Sequence, residues 1–367
     1  CEFTGLSVEL TGAVEFNGGN VVFNQATEAF LPEVRVTRDT TLGGTRGATF
    51  TQPLSLDTAS LTVQGPVRFA APVLIRKNLS AYDARGSVTF ASLAPTVWEA
   101  GDVNVTGGPS RILPGAVFDA RSGGTFSALG FRNEGTFRKT TDSTLNLSLP
   151  RPPAGVVSFE NTGLFEMVDG TFAANTEPGS FQNGGTARFA GGRLVLRRDY
   201  VQVGGETVFA GGILATPAIV NIQGGVVRGQ GTVAGGGLTL ANTAVLDPGA
   251  PLGVLVITNR LGDQDLGPGG LTLGRNSRLV VDLGGRAAGV EYDQIQATGD
   301  AGLNGTLEVR LANGFSPNLG DEFTVITART RRTTKFTTET LPVLGAGKKF
   351  EVVYETAAVK LRVIARP

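Results

Sequence analysis

The residues of this sequence that could do chemistry are few, and carboxylates are the most prominent of them. Asp247 lies in Asp-Pro-Gly, and Asp263 and Asp265 lie in the segment GDQDLGPG. Two or three acids that converge on one face could act as general acid and base on a glycan. Both segments are also turn motifs, and turn chemistry accounts for all three residues without catalysis. Asp293 and Asp321, further along the chain, are likewise expected to cap turns.

A metal site is the second chemical option, and Asp263 and Asp265 are its candidates. Calcium-binding repeat proteins carry an Asp-rich nonapeptide that supplies the many oxygen ligands of the ion, and no such repeat is present. The chain has no histidine and one cysteine, which excludes a Ser-His-Asp triad, a histidine metal site, a thiolate zinc site and an intrachain disulfide. We therefore expect no enzymatic activity, no cofactor and no bound metal.

The one cysteine, Cys1, suggests chemistry of another kind. A mature bacterial lipoprotein begins with an acylated Cys, and a lone exposed Cys could also link two chains. A processing boundary at residue 1 is the third interpretation. All three remain open from the sequence.

Aromatic and basic side chains give little support for a ligand groove. Sugar-binding grooves expose Trp or Tyr as stacking platforms. The chain has one Trp and four Tyr, whereas it has 21 Phe, a residue typical of protein cores. The basic cluster near residue 330 could bind an anionic polymer or lipopolysaccharide, but we expect it to decorate a solvated hairpin. The candidate stacking platforms are Trp98, Tyr82, Tyr200, Tyr292 and Tyr354. The basic cluster consists of Arg329, Arg331, Arg332 and Lys335.

The overall composition predicts a folded, β-rich protein. In 367 residues, 32 basic side chains balance 32 acidic ones, so no net field attracts nucleic acid or an anionic membrane. Hydrophobic residues make up 41% and charged residues 17%, which supplies a core and argues against disorder. No run approaches the ~20 apolar residues of a transmembrane helix. The apolar residues come in short Val-, Ile-, Leu- and Phe-rich pieces between Gly, Asn and Thr, a pattern typical of strands.

An internal repeat is the most informative feature of the chain. Gly pairs begin at residues 184, 204 and 224, and a second series begins at 191 and 211, so each series has a period of 20 residues. The segment FAGG at 189–192 recurs at 209–212. Upstream, the motif F-x-N-x-G occurs at 131–135, 159–163 and 181–185. Its wider spacing indicates loops inserted between otherwise similar units.

A 20-residue period predicts a β-solenoid. Each unit holds three short apolar pieces with period-two alternation, which indicates strands with one buried face, separated by Gly-rich corners. The sequence thus predicts an all-β, right-handed parallel β-helix of 20-residue coils over residues 1–276. Phe189 should lie directly under Phe209 in an interior ladder, at the ~4.8 Å spacing of strands.

The C-terminal part shows a different pattern. From about Ser277 the glycine rhythm stops, and longer alternating strands are separated by turn signals such as Leu-Gly-Asp at 319–321. This pattern predicts an antiparallel, sandwich-like module over residues 277–367 that closes the open strand edges of the solenoid.

At this point a resemblance emerges. The motif F-x-N-x-G, the run DPGAPLGVLVI at 247–257 and the run EYDQIQATGDAGLNGTLEVRLANGFSPNLGDEFTVITA at 291–328 resemble bacterial secreted passenger-type proteins, including autotransporter-associated repeat passengers and adhesin-like proteins. The resemblance covers about residues 131–365. It implies a shared fold and an extracellular or cell-surface location rather than one shared activity.

Two functions remain open from the sequence. The first is a non-enzymatic surface spacer, adhesin or building block that associates with itself, with Phe3–Phe23 as an edge-pairing element for a neighbouring copy. The second is a polysaccharide-active β-helix that uses a carboxylate pair, with Asp247 and Asp263 as candidates. The expected partners are therefore further copies of the chain and surface polysaccharide, with a lipid anchor at Cys1 as an option and no transmembrane segment.

Overall fold

The computed structural model describes residues 2–3, 7–9, 13–31, 33–82, 87–149, 158–174, 181–249, 252–331, 334–345 and 347–366, with the backbone alone at 2–3, 7–9, 23–30 and 44–46. These residues form strands and turns and no helix. Within them, accordingly, no helix has the length and apolar character needed to cross a membrane. The chain forms two compact units, Cys1–Phe181 and Gln182–Pro367.

The strands of the first unit are mostly three to five residues long. In chain order they are β1 (Glu2–Phe3), β2 (Ser7–Glu9), β3 (Val14–Leu31), β4 (Val34–Phe50), β5 (Leu54–Leu56), β6 (Leu61–Gln64), β7 (Val67–Phe69), β8 (Val73–Ile75), β9 (Leu79–Tyr82), β10 (Val88–Phe90), β11 (Thr96–Trp98), β12 (Val103–Val105), β13 (Ser110–Ile112), β14 (Val117–Ala120), β15 (Thr125–Ser127), β16 (Phe131–Asn133), β17 (Thr136–Lys139), β18 (Thr144–Ser148), β19 (Phe159–Asn161), β20 (Leu164–Met167) and β21 (Thr171–Ala174).

After β22 (Phe181–Asn183), the second unit contains both short strands and long ones that bend from one sheet into the next. They are β23 (Thr186–Phe189), β24 (Arg193–Leu196), β25 (Tyr200–Gln202), β26 (Glu206–Thr216), β27 (Val220–Ile222), β28 (Val226–Gly235), β29 (Gly237–Leu240), β30 (Val245–Asp247), β31 (Val254–Thr258), β32 (Arg260–Leu261), β33 (Gln264–Asp265), β34 (Gly270–Leu273), β35 (Arg278–Leu283), β36 (Gln294–Ala297), β37 (Ala301–Gly302), β38 (Thr306–Leu311), β39 (Glu322–Thr327), β40 (Thr338–Thr340), β41 (Lys348–Tyr354) and β42 (Ala358–Ala365).

Within each unit the strands stack as three parallel sheets, and each sheet receives one strand from every turn. In the first unit β10 pairs with β7 and β13, β11 with β8 and β14, and β12 with β9 and β15. In the second unit β27 pairs with β25 and β29, a step of two strands, because the long β26 pairs with both β23 and β24 and so takes the place of two strands. The predicted parallel β-solenoid is therefore confirmed.

The side chains alternate between the interior and the surface, as the sequence pattern predicts. In β7, β8, β10 and β11 the outer two residues are buried and the middle one is not. Parallel pairing places equal positions of successive turns over each other, so the buried Phe rings stack. The centroids of Phe131 and Phe159 lie 5.0 Å apart, and those of Phe137 and Phe165 lie 5.4 Å apart.

The F-x-N-x-G motif is explained by its position at a corner of the coil. The Asn side chains are buried like the Phe rings, and Asn133 Nδ2 donates to Asn161 Oδ1 (2.7 Å) and to the carbonyl of Leu164 (2.8 Å). The first bond links the Asn side chains of adjacent turns, and the second gives the backbone carbonyl of Leu164 a side-chain donor. The glycine is required because a Cβ atom at Gly163 would overlap the carbonyl of Gly135 in the turn below.

The expected antiparallel module is present only in part, because parallel stacking continues well past residue 276. Arg278 pairs in parallel with Thr306, 28 residues later, and Thr306 with Thr338, 32 residues later. Loops inserted between strands lengthen these coils and remove the glycine rhythm, but they leave the stacking direction unchanged. Antiparallel pairing is found in the small hairpin of β32 with β33 and at the C-terminal end, where β42 pairs with β39 and β41.

Candidate functional site: a cluster of three aspartates

The described residues contain one group of three carboxylates close enough to share an ion, and it lies in the second unit. One carboxylate oxygen from each of Asp247, Asp282 and Asp293 lies within 4.8 Å of the others. Asp247 ends β30, and Asp282 lies near the end of β35, the next strand of the same sheet. Asp293 directly precedes β36.

The long loop after β35 brings Asp293 into this group. Its Oδ1 accepts a hydrogen bond from the backbone N–H of Gly253 (2.9 Å), and its Oδ2 accepts one from the N–H of Asp282 (2.9 Å). The N–H of Asp293 in turn donates to the carbonyl of Asp282 (3.0 Å). The side chain therefore joins the segment before β31 to β35, which is the turn-capping role predicted for it.

Burial gives the three carboxyl groups an unusual protonation behaviour. Asp293 is completely buried, and desolvation raises its pKa to about 7. Burial also raises the pKa of Asp247, with a further contribution from the charge of Asp282, and burial raises the pKa of Asp282 itself. The charges of Arg310 and Arg228 oppose the rise at Asp247.

The two arginines near the cluster are held by other carboxylates. Arg310 Nη2 lies 2.7 Å from Glu308 Oε1, and Arg228 Nη2 lies 2.6 Å from Glu206 Oε2. Their charges are therefore shared with these glutamates, and they do not offset the effect of burial, which raises the pKa of each of the three aspartates.

The position of Asp293 is suited to a structural role more than to catalysis or metal binding. Both oxygens of Asp293 already accept backbone hydrogen bonds, and a Cβ atom at Gly249 would overlap its carboxylate, so the backbone packs directly against it. A general acid must reach the atom that it protonates, and a fully buried carboxyl does not reach a substrate in solution. Asp293 acts as a buried cap that joins the segment before β31 to β35.

The other carboxylates singled out in the sequence lie elsewhere. Asp263 and Asp265 are exposed in the hairpin of β32 and β33, outside the three-aspartate cluster. Asp265 accepts hydrogen bonds from Asn259 Nδ2 (3.4 Å) and from the N–H of Gly267 (3.1 Å), as a turn residue does. The pair proposed from the sequence, Asp247 with Asp263, is therefore not part of one carboxylate cluster.

Asp321 is a turn cap, as predicted. Its Oδ2 accepts a hydrogen bond from the N–H of Asn318 (2.7 Å) and lies 2.8 Å from Arg286 Nη2. The basic cluster is partly neutralised, since Arg329 pairs with Asp300 at 2.9 Å. Lys335 Nζ lies 5.2 Å from the ring centroid of Tyr354, a cation–π contact that leaves its charge in place. Arg332 and Cys1 lie outside the described residues, so the interpretations of Cys1 stay predictions.

The candidate stacking platforms are mainly core residues. Trp98 and Tyr200 are completely buried and Tyr292 is 5% exposed, whereas Tyr82 is 41% exposed. The Tyr200 hydroxyl lies 2.7 Å from Thr207 Oγ1, inside the coil.

Sequence reasoning missed Asp282 as a member of the aspartate cluster. In the alternating run RLVVDL it has the appearance of an ordinary surface position, and only the path of the loop at 284–292 brings Asp293 back to it. The length of that loop in the sequence gave no information about its path.

Comparison with known proteins adds no family assignment. The sequence matches no protein-family model and no curated protein.

Proposed function

We propose that the chain is a non-enzymatic structural or adhesin-type β-solenoid protein of the bacterial cell surface or extracellular space, and that it associates with further copies of itself. The observation that carries the proposal is where its reactive side chains lie. In the three-aspartate cluster Asp293 is buried with both carboxylate oxygens hydrogen-bonded to backbone, while Asp247 and Asp282 are half-buried. Many of the charged side chains on the surface pair with the neighbouring turn. The surface location rests on the resemblance of residues 131–365 to passenger-type proteins.

The surface ion pairs follow the stacking of the coils. Arg76 bridges Asp57 (2.9 Å) and Glu99 (2.7 Å), which belong to the turns on either side of it. Arg278 similarly pairs with Glu308 of the next turn (2.8 Å). Each exposed pair contributes only about 0–1 kcal/mol, but together they leave a surface of mixed charge that suits a scaffold.

Imaging and activity measurements on the intact chain test this proposal. We expect electron micrographs of the native protein to show multi-copy particles and a panel of bacterial and host polysaccharides to remain uncleaved. If the wild type cleaves a glycan and the Asp247→Asn variant does not, the non-enzymatic role is contradicted. Protection of the protein from external protease on intact producing cells would contradict the surface location.

Glycan binding is the second candidate, and one feature of the first unit favours it. A polar groove of about 490 Å³ combines hydroxyl, amide and charged groups of the kind that bind sugar hydroxyls. It is lined by Asp39, Thr58, Ser60, Arg76, Lys77, Asn78 and Gly101. No aromatic ring lines it, which makes it a weaker sugar site than a stacking groove. Glycan-array binding that is lost in Lys77→Ala and kept in Arg275→Ala would select this function.

A further inference from the structure

The C-terminal hairpin presents an open strand edge. β41 pairs with β42 along its whole length, from Lys348 opposite Ala365 to Tyr354 opposite Val359, and β42 in turn pairs with β39. Within the described part of the chain, no strand pairs with the other edge of β41. An edge of seven residues is a template for a further strand.

The hydrogen bonds at the two ends of β41 show which backbone groups point to this edge. Arg366 N–H donates to the carbonyl of Gly347 (2.6 Å), and Glu355 N–H donates to the carbonyl of Ala358 (2.9 Å). Because alternate residues of an antiparallel pair bond to the partner strand, the odd-numbered residues between these ends bond to β42. The backbone N–H and C=O groups of the even-numbered ones therefore face outward: Phe350, Val352 and Tyr354.

We propose that this edge binds the same edge of a second copy of the chain, in an antiparallel two-fold interface centred on Val352. A two-fold axis perpendicular to the sheet keeps outward groups opposite outward groups, so the backbone of Val352 bonds to that of its own copy. The continuous sheet would then run from β39 of one copy through β42 and β41 to the same strands of the other.

The side chains select this register. Centring on Val352 places Lys349 opposite the Glu355 of the second copy, twice by symmetry, and Phe350 opposite Tyr354. Glu355 directly follows β41 and lies 2.8 Å from Lys360 Nζ of its own copy, so Lys349 would join an existing ion pair. Unlike charges and aromatic pairs directly opposite each other stabilise antiparallel strands.

The neighbouring registers are less favourable. In the register centred on Glu351, this carboxylate lies opposite Glu351 of the second copy. In the register centred on Val353, Glu351 lies opposite Glu355 of the second copy. Both registers therefore place like charges opposite each other. Centring on Phe350 also places unlike charges opposite each other, Lys349 and Glu351, but it shortens the pairing, because Val353 would then face Gly347, whose φ of 66° a strand does not adopt. In the register centred on Val352 the pairing reaches Glu355, which still bonds to Ala358 in the hairpin.

This inference rests on the self-association in the proposed function and assigns it a contact. A charge swap on the full-length protein tests it, with sedimentation equilibrium as the measurement. K349E and E355K should each weaken the wild-type dimer by at least about tenfold in Kd, since each places like charges opposite each other. An equimolar mixture of the two variants should restore the dimer, because both cross-strand pairs are then unlike. R275E, exposed and outside the hairpin, is the control and should dimerise as the wild type does.

A backbone variant provides an independent test. V352P removes a donor that faces the open edge and leaves the bonds to β42 in place, so it should abolish the dimer while the thermal unfolding midpoint stays close to wild type. Association that persists in V352P and in both charge variants overturns the edge interface and leaves a self-associating scaffold standing. A wild type that stays monomeric at about 100 µM overturns the interface and the self-association together.

Discussion

Phe209 lies directly over Phe189 in the adjacent turn of the coil, with the two ring centroids 5.3 Å apart and the ring planes inclined by 22°. Both rings are buried. This contact is the direct consequence of a 20-residue repeat that places equal residues in register. It also means that the stability of one turn depends on its neighbours.

The Phe189 ring should therefore contribute strongly to stability. Phe189→Ala removes a fully buried ring from the stack, and we expect it to lower the free energy of unfolding by about 3–5 kcal/mol in urea titrations followed by circular dichroism. Val290→Ala truncates a side chain that is 74% exposed and should change the free energy of unfolding by less than about 0.5 kcal/mol. Equal effects of the two substitutions would contradict an interior ladder.

The stacking of coils could be predicted from the sequence because it depends on local spacing. The Gly pairs, the alternating pieces and the recurring FAGG segment all report one period, and each placed its residues correctly. The end of the solenoid could not be predicted in the same way. Loop insertions after Leu246 change the spacing without changing the pairing direction, so the loss of rhythm resembled a change of fold.

The aspartate cluster was not predictable for a related reason. Asp247 was recognised from its turn motif, but its neighbours in space are Asp282 and Asp293, which lie 35 and 46 residues further along the chain. Their meeting depends on how a lengthened loop returns to the sheet. Turn chemistry in the sequence describes the local backbone and gives no information about such a return.

The Gly204-Gly205 pair offers a matched test of corner geometry. Gly205 has a φ of 60°, and a Cβ atom there would overlap the carbonyl of Gly185, whereas a Cβ atom at Gly204 would meet nothing within 4 Å. Gly205→Ala should lower stability by more than about 1 kcal/mol, and Gly204→Ala should leave it unchanged or raise it slightly. The thermal unfolding midpoints of the two variants check this, and a reversed order would contradict the described corner.

The aspartate cluster should make stability depend on pH. The pKa of Asp293 is raised from 3.8 to about 7 in the folded protein, so between these values the unfolded chain has lost a proton that the folded protein keeps. The stability that this proton contributes is fully present below pH 3.8 and is lost as the pH rises through about 7, by up to ~1.4 kcal/mol per pH unit.

Asp293→Asn tests this dependence. The Asn side chain does not titrate, so the free energy of unfolding of the variant should fall less between pH 4 and 7 than that of the wild type. The two slopes should differ by up to ~1.4 kcal/mol per pH unit, the value for one proton. It also loses one backbone acceptor, which lowers its stability by a similar amount at every pH. Val290→Ala, which removes no titratable group, should keep the wild-type slope. Parallel curves for Asp293→Asn and the wild type would show that Asp293 does not retain its proton.

Lys139 provides a test of what a buried charge contributes in the first unit. Its side chain is completely buried between Ala120 and Met167 of the adjoining turns, and its Nζ donates to Thr141 O (2.5 Å), Thr141 Oγ1 (2.6 Å) and Ser143 Oγ (3.0 Å). Burial lowers its pKa from 10.5. The charged form is thus less favourable in the folded protein than in the unfolded chain.

Lys139→Met should therefore be at least as stable as the wild type at pH 7, because Met fills the same volume, stacks on Met167 and carries no charge to desolvate. The hydroxyls of Thr141 and Ser143 still donate to the carbonyl of Arg121. Any advantage of the variant should shrink as the pH rises toward 10.5, since the unfolded wild-type chain then binds more protons than the folded one and its stability increases. Chemical unfolding at pH 7 and pH 10 measures both effects, with the exposed Lys77→Met as control. A loss of several kcal/mol at pH 7 in Lys139→Met alone would mean that the three hydrogen bonds outweigh the cost of burying the charge.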